Sequence, residues 1–290
     1  MPDEQLIMPC SSNGVSPLAD PGPPRHGSVR ALHNVGLPQD APAAVIHAHD
    51  QALATGAGVL KDGRRSAVTR VCHADEALCV KEYRHLGALD RLKDWLRGSR
   101  AIRAWRVASQ LASHGITTPK PVAVLERGGT HYLVTRLIDD AVALDRLLAE
   151  RFAGPLSRSE LRAKRAMLRQ LGRWLRRVHD CRIYHDDWSP KNFLAAPRAD
   201  KWAFYLLDLE SVAVYKWLTR RRRVKNLAQL SDAQAGITDT DRMRFLLAYA
   251  AGNEALLRGR FPREVLAATR RRTEARKRFY AEAPKRQNTP

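Results

Sequence analysis

Between Ile183 and Leu194 the chain reads Ile-Tyr-His-Asp-Asp-Trp-Ser-Pro-Lys-Asn-Phe-Leu, which sets His185, Asp187 and Asn192 at the spacing H-x-D-x-x-x-x-N. Sixteen residues past Asn192, Asp208 closes the apolar run Phe204-Tyr205-Leu206-Leu207. A carboxylate in a polar loop can orient a hydroxyl and take its proton. An amide oxygen and a second carboxylate suit Mg²⁺, a hard cation that keeps much of its water and is held on nucleotide phosphates by few protein ligands. Together these are the parts of phosphoryl transfer, a reaction driven by positioning and charge neutralisation. Asp187 fits the first role, Asn192 and Asp208 fit the second, and His185 braces the loop. A lone loop aspartate is usually a turn or cap residue. All four residues at this spacing are much harder to obtain by accident. Asp186 reads by default as a solvated turn acid.

These residues need elements to hold them. Residues 1–40 carry seven prolines among Ser, Asn and Gly, too little apolar surface to offset ordering, so residues 1–50 are expected to form a flexible tail. From Val59 the pattern is strand-like: Val59–Lys61, a turn over Asp62–Ser66, Ala67–Val71, then Leu78–Tyr83. A helix is expected over about Ala101–His114, with Gly115 as its C-cap, followed by strands near Val122–Glu126 and His131–Leu137. After Asp140 the chain turns helical, over Leu144–Arg151 and Ser159–His179, where Ser159-x-x-Arg162 lacks the acid of a capping box. A strand pair near Phe193–Ala195 and Phe204–Leu209 flanks the polar loop, and helices run to the end. The expected class is α+β, with a strand-rich N-lobe over 51–140 and a mainly helical C-lobe over 141–290.

Composition bounds the partners. The 290 residues are 44% hydrophobic and 28% charged, ordinary globular values, which excludes wholesale disorder. The net charge of +20 is not ordinary and calls for an anionic partner. Residues 1–55 contribute −3, so the folded body carries +23. Residues 257–290 hold eleven Lys or Arg against three Glu, too lopsided for a self-neutralising helix. With Arg220–Arg223, this stretch is expected to meet an anionic membrane or a phosphorylated glycolipid. The chain has no zinc-finger spacing, aromatic-interleaved RNA motif or helix-turn-helix pattern, so nucleic acid is not the expected partner. Four cysteines without a C-x-x-C pair fit reduced thiols in the cytoplasm. The start lacks a basic and an apolar signal region, and no apolar run reaches the roughly 18 residues of a membrane span.

The catalytic-loop spacing and strand-borne Asp208 resemble the protein-kinase-like fold, a bilobal architecture. Within that resemblance, Lys81 in Leu78-Cys79-Val80-Lys81 stands at the place of the lysine that steadies the ATP phosphates. Cys79 falls where a small residue faces the adenine. The run Gly115–Ala123, the Tyr184–Asp187 loop and Asn226–Leu230 are similar to the bacterial lipopolysaccharide core kinases, which include heptose and Kdo (3-deoxy-octulosonic acid) kinases. The likeness spans roughly residues 55–255. It implies an ATP- and Mg²⁺-dependent transfer of phosphate to a sugar hydroxyl of the lipopolysaccharide inner core, by a cytoplasmic protein peripheral on the inner membrane. The chain also departs from the pattern. Gly56-Ala57-Gly58-Val59-Leu60-Lys61 has Lys where a third glycine belongs, so Gly63, Arg64, Arg65 and Ser66 are expected to cover the phosphates instead. The expected N-lobe helix has no glutamate for Lys81, and the metal motif reads Asp208-Leu209-Glu210. Two alternatives stand beside this reading: phosphotransfer to a small-molecule or protein hydroxyl, and a catalytically dead basic scaffold.

Overall fold

A computed structural model describes residues 28–199, 201–231, 236–253 and 255–282. The chain divides into two compact units. The first ends at Gln110 and takes in Pro119–Ile138; the second comprises Leu111–Thr118 and the chain from Asp139.

In the first unit, β1 (Arg30–Asn34) and α1 (Ala41–Thr55) precede β2 (Val59–Gly63), β3 (Ser66–His73) and β4 (Glu76–Tyr83). Two helices follow, α2 (Ala88–Arg97) and α3 (Arg100–Ser113), then β5 (Pro121–Arg127) and β6 (Thr130–Arg136). The six strands form one antiparallel sheet in the order β1-β5-β6-β4-β3-β2. Its buried face (Val71, Leu78, Val80, Val122, Val134) meets Val45 and Ile46 of α1.

The flexible tail expected to reach residue 50 is corrected here from residue 30 onward. Pro42 sits in the first turn of α1, where a missing N–H costs nothing, and the helix buries Val45, Ile46, His49 and Ala52 along one stripe. Arg127 of β5 clamps Asp50 through two hydrogen bonds of 2.6 and 2.9 Å. β1 has little apolar character and exists because it pairs with β5. The part of the tail reading that covers residues 1–27 lies outside the described residues.

Helix α2 is a further addition to the expected elements. Its Leu89, Leu92 and Leu96, spaced as one helical stripe, are exposed at 73%, 51% and 67%.

The second unit opens with β7 (Val142–Ala143), α4 (Leu144–Phe152) and the long α5 (Arg158–Asp180). A capping box does start α5, but at Ser157 with Glu160, two residues before the expected start. Next come β8 (Ile183–His185), β9 (Phe193–Arg198), β10 (Lys201–Leu206) and β11 (Val212–Val214). These strands make two small sheets, β10-β9-β7 and β11-β8. Helices α6 (Arg220–Ser231), α7 (Asp239–Ala250), α8 (Ala255–Arg258) and α9 (Phe261–Glu282) complete the unit.

Helices α5 and α7 pack so closely that a Cβ at Gly172 would stand 2.6 Å from the Phe245 carbonyl oxygen. Lys164 of α5 is buried on Asp241 of α7 at 2.7 Å. Asp241 also caps that helix through Thr238. Cys79 and Cys181 carry free thiols. Among the described residues no helix is long and apolar enough to cross a membrane.

Candidate active site

The 184–192 loop leaves β8 at His185 and passes through a 3-10 turn at Pro190–Asn192 into β9. His185 is fully buried and bridges two segments. Its Nδ1 accepts the Asp187 N–H at 3.0 Å, which puts the ring proton on Nε2, where it is donated to the Leu207 carbonyl at 3.1 Å. Burial lowers the pKa of this imidazole, so it stays neutral. The ring therefore works as a strut between the Asp187 loop and the residue before Asp208.

Asn192 closes the loop from the other side. Its side-chain N–H donates to the Asp187 carbonyl at 2.7 Å, and its own carbonyl accepts the Leu207 N–H at 2.9 Å. The amide oxygen of Asn192 remains as a donor for a cation. Burial pushes the Asp187 carboxyl up, but the neighbouring Ser189 hydroxyl and the Lys191 ammonium, 3.3 Å away, hold it below its ordinary value. Asp187 is thus ionised at neutral pH.

Asp208 follows β10 with φ 55° and ψ 48°, a left-handed conformation that Asp tolerates better than most residues. Ser211 fixes it, donating from Oγ to Oδ2 at 3.0 Å while the Ser211 N–H bonds the Asp208 carbonyl at 2.9 Å. The strand behind it is pinned by Thr117 and Thr118. Thr117 Oγ1 donates to the Phe204 carbonyl, and Thr118 Oγ1 donates to the Leu206 carbonyl at 2.9 Å. One physical arrangement therefore brings His185, Asp187, Asn192 and Asp208 together.

A second brace was not legible in the motif itself. Asn226 and Gln229 of α6 are buried and hold the loop backbone. Asn226 donates to the His185 carbonyl at 2.8 Å and Gln229 to the Asp186 carbonyl at 2.7 Å, while Gln229 Oε1 accepts the Trp188 N–H at 3.3 Å. The signal was two amide side chains three apart in an otherwise apolar helical stretch. Asp186 itself is exposed and lies 3.4 Å from Lys225.

In the first unit, Lys81 lies on β4, between β3 and β6, opposite Val68 and Leu133. A lysine inside a sheet is not an edge-strand solubility residue. Its ammonium is 4.9 Å from the centre of the Tyr83 ring. Burial pushes the Cys79 thiol up to about 11, so it is un-ionised.

Gly63 and Ser66 pair across the Arg64-Arg65 turn, which Arg84 ties down by a 3.1 Å bond to the Gly63 carbonyl. Gly56 and Gly58 have a structural task. Gly56 ends α1 at φ 77°, and a Cβ on Gly58 would stand 2.7 Å from the Arg70 carbonyl oxygen. The acids absent from α3 are carried by α2, where Asp94 is engaged by His85 at 3.0 Å and Arg100 at 3.5 Å.

The donor set near Asp187 fits Mg²⁺: hard oxygens, few in number, from Asn192 and Asp208. Among the described residues no group of three or more His, Cys, Asp or Glu side chains forms a fuller metal cage.

Residues 55–249 match the Lipopolysaccharide kinase (Kdo/WaaP) family. The chain belongs to that family. A curated relative, a 3-deoxy-D-manno-octulosonic acid kinase of Actinobacillus succinogenes, is 29% identical over 120 residues. The match takes in 40% of this chain and spans just under half, 46%, of the relative's length. Among solved structures, WaaP in complex with acyl carrier protein aligns with a TM-score of 0.54 at 24% identity, over 75% of this chain and 87% of that one. That likeness shows the kinase-like fold, and the strand-rich and helical units agree with the expected α+β class. Both ends of this family member, before residue 55 and after residue 249, lie outside the matched region.

Proposed function

We propose that the chain transfers the γ-phosphoryl group of ATP to a sugar hydroxyl of the lipopolysaccharide inner core, a Kdo or heptose unit. The observation that carries this reading is the locked cluster of His185, Asp187, Asn192 and Asp208. It presents an ionised carboxylate and a pair of oxygen donors, with both segments tied together through Leu207.

In this reading Asp187 accepts the hydrogen bond of the acceptor hydroxyl, aligns its oxygen and receives its proton as that oxygen bonds the γ-phosphorus and the bond from the γ-phosphorus to the bridging oxygen breaks, releasing ADP. Its low pKa suits a group that orients the hydroxyl throughout and takes the proton late. Asn192 and Asp208 would hold Mg²⁺, which when bound would neutralise the phosphate charge. Lys81 steadies the phosphates, with the backbone N–H groups and basic side chains of Gly63, Arg64, Arg65 and Ser66 beside them. His185 and Asn226 set the loop that carries Asp187. Catalysis then comes from alignment and charge placement.

The acceptor is amphiphilic, so the protein works at an anionic membrane surface, the inner leaflet facing the cytoplasm. Two features support peripheral attachment: the arginine-rich α9 and the exposed Leu89, Leu92 and Leu96 of α2.

The test is ATP-dependent phosphorylation of purified lipopolysaccharide core acceptors, wild type beside Asp187→Ala. Phosphate on the glycolipid, lost in the variant, supports the assignment. Turnover retained in Asp187→Ala would overturn it. Mg²⁺-dependent ATP binding without transfer to any core acceptor would move the search to other hydroxyls.

A further inference from the structure

Helices α6 and α9 enclose a groove of about 660 Å³ whose inner end is formed by Tyr184 and Gln229. Five cations line it: Arg221, Arg222 and Lys225 from α6, Arg271 and Arg272 from α9. Among the described residues, no carboxylate lines this space. Glu264 sits beside it but is spent on Arg220 at 2.8 Å. The small side chains of Val224, Ala228 and Ala268 keep the helices from filling the space between them.

From this groove we infer a binding site for an acid group, carboxylate or phosphate, on the acceptor sugar, beside the hydroxyl that is phosphorylated. Three observations carry the inference, which rests on the kinase reading above. First, Arg221, Arg222 and Arg271 bring three like charges to one concave space, and an anion bound there relieves their mutual repulsion. Second, one cation is already oriented. The Arg222 guanidinium lies 3.7 Å from the centre of the Tyr215 ring and 5.8 Å from that of Tyr184, so its direction is set before a ligand arrives. An Arg fork held this way recognises a carboxylate or phosphate bidentately.

Third, the groove and the catalytic loop share walls. Gln229 lines the groove and also holds the Asp186 carbonyl, Tyr184 lies two residues from Asp186, and Lys225 reaches Asp186 at 3.4 Å. An acid group bound there stands next to the loop that carries Asp187. The volume is that of a sugar-sized site, not of a protein docking face. Arg271 and Arg272 also lie beyond the residues matched to the family, so this half of the site belongs to the chain's own C-terminal helix.

The experiment measures transfer and binding together. Acceptors are a lipid-free inner-core oligosaccharide, the same oligosaccharide with its carboxylates methyl-esterified, and a dephosphorylated form. Proteins are the wild type, Arg221→Gln/Arg271→Gln and, as a variant that keeps every arginine, Ala268→Glu, which places a carboxylate in the groove. Retained Mg-ATP protection against melting shows that each is folded.

KM for the intact oligosaccharide is expected to rise about tenfold or more in both variants, the loss of at least one charge-assisted contact, with kcat changed less than about twofold. Whichever modified acceptor the wild type also binds weakly identifies the acid as carboxylate or phosphate. Equal KM for intact and modified acceptors in the wild type, or no change in the variants, overturns the inference. Calorimetric titration of the oligosaccharide without ATP separates this from failure of the kinase reading: arginine-dependent binding without transfer keeps the site and rejects the reaction. Variants that lose binding to phosphatidylglycerol vesicles or to purified acyl carrier protein, while binding the oligosaccharide normally, would make the groove a membrane or protein contact and reject it as an acceptor site.

Discussion

Replacing Gln229 with Met keeps the volume of a buried side chain and removes its hydrogen bonds to the loop that carries Asp187. Gln229 is 5% exposed, donates to the Asp186 carbonyl at 2.7 Å and accepts the Trp188 N–H at 3.3 Å. Each orphaned buried group costs about 1–3 kcal/mol. Water from the adjoining groove can replace the partner of Asp186, whereas the Trp188 N–H and the buried Asn226 side-chain N–H, 3.1 Å from Gln229 Oε1, both lose their acceptor. The expected penalty is therefore about 2–4 kcal/mol. If the loop stays in place, the whole unit bears that cost, and Tm falls by about 5–15 °C. If the loop lets go instead, hydrogen exchange at the amides of 186–188 accelerates by up to about 30- to 1000-fold, and turnover falls by about two orders of magnitude from a displacement near 1 Å. Melting, amide exchange by mass spectrometry and phosphate transfer on one preparation distinguish the two. A variant with wild-type values in all three would refute the claim that α6 holds this loop.

Asp187→Ala should abolish phosphate transfer while shifting Tm by less than about 3 °C, because its carboxylate is partly solvated and serves no packing role; circular dichroism and melting check this. Lys164→Met should destabilise the helical unit by about 3–5 kcal/mol, since it strands buried Asp241 without its partner; urea titration reads it. Asp241 has a lowered pKa, with burial outweighed by Lys164 and Thr238. Its contribution is thus complete above the unfolded value near about 3.9 and lost as pH falls further, so Asp241→Asn should approach wild-type stability in that range. Burial pushes His179 down to about 3, so the unfolded chain binds its proton first. Stability should then drop as pH falls from about 6.5 toward 3, and His179→Gln, measured by urea midpoints, should flatten that slope. About 0.5 M NaCl should release the protein from phosphatidylglycerol vesicles in a flotation assay. Salt-resistant binding would shift the contact from α9 to the leucine stripe of α2.

The loop over 183–194 was legible in the sequence because its residue types and spacing are local. His185, Asp187 and Asn192 stand close in sequence, and Asp208 ends a run that only a strand would bury. The strands from Val59 to Leu137 were readable too, through alternation and turn residues. What was hidden depends on distant partners. β1 has no strand signature of its own and forms because β5 offers an edge. Lys164 looks like any other basic residue on α5 until Asp241, 77 positions later, comes to rest against it. Cations at 221 and 271 look like solvated faces until the packing of α6 on α9 turns them toward one space.

The left-handed backbone at Asp208 governs how that position can be studied. A β-branched residue or alanine placed at φ 55° carries a conformational cost of about 1–2 kcal/mol that Asp largely avoids. Asp208→Ala therefore changes two things at once, the charge and the path of the chain into the 3-10 turn that follows. Asp208→Asn preserves the turn and subtracts only the charge, and Asp208→Gly preserves the turn while deleting the side chain. Read as a set, these three replacements separate what the carboxylate does from what the bend in the chain does.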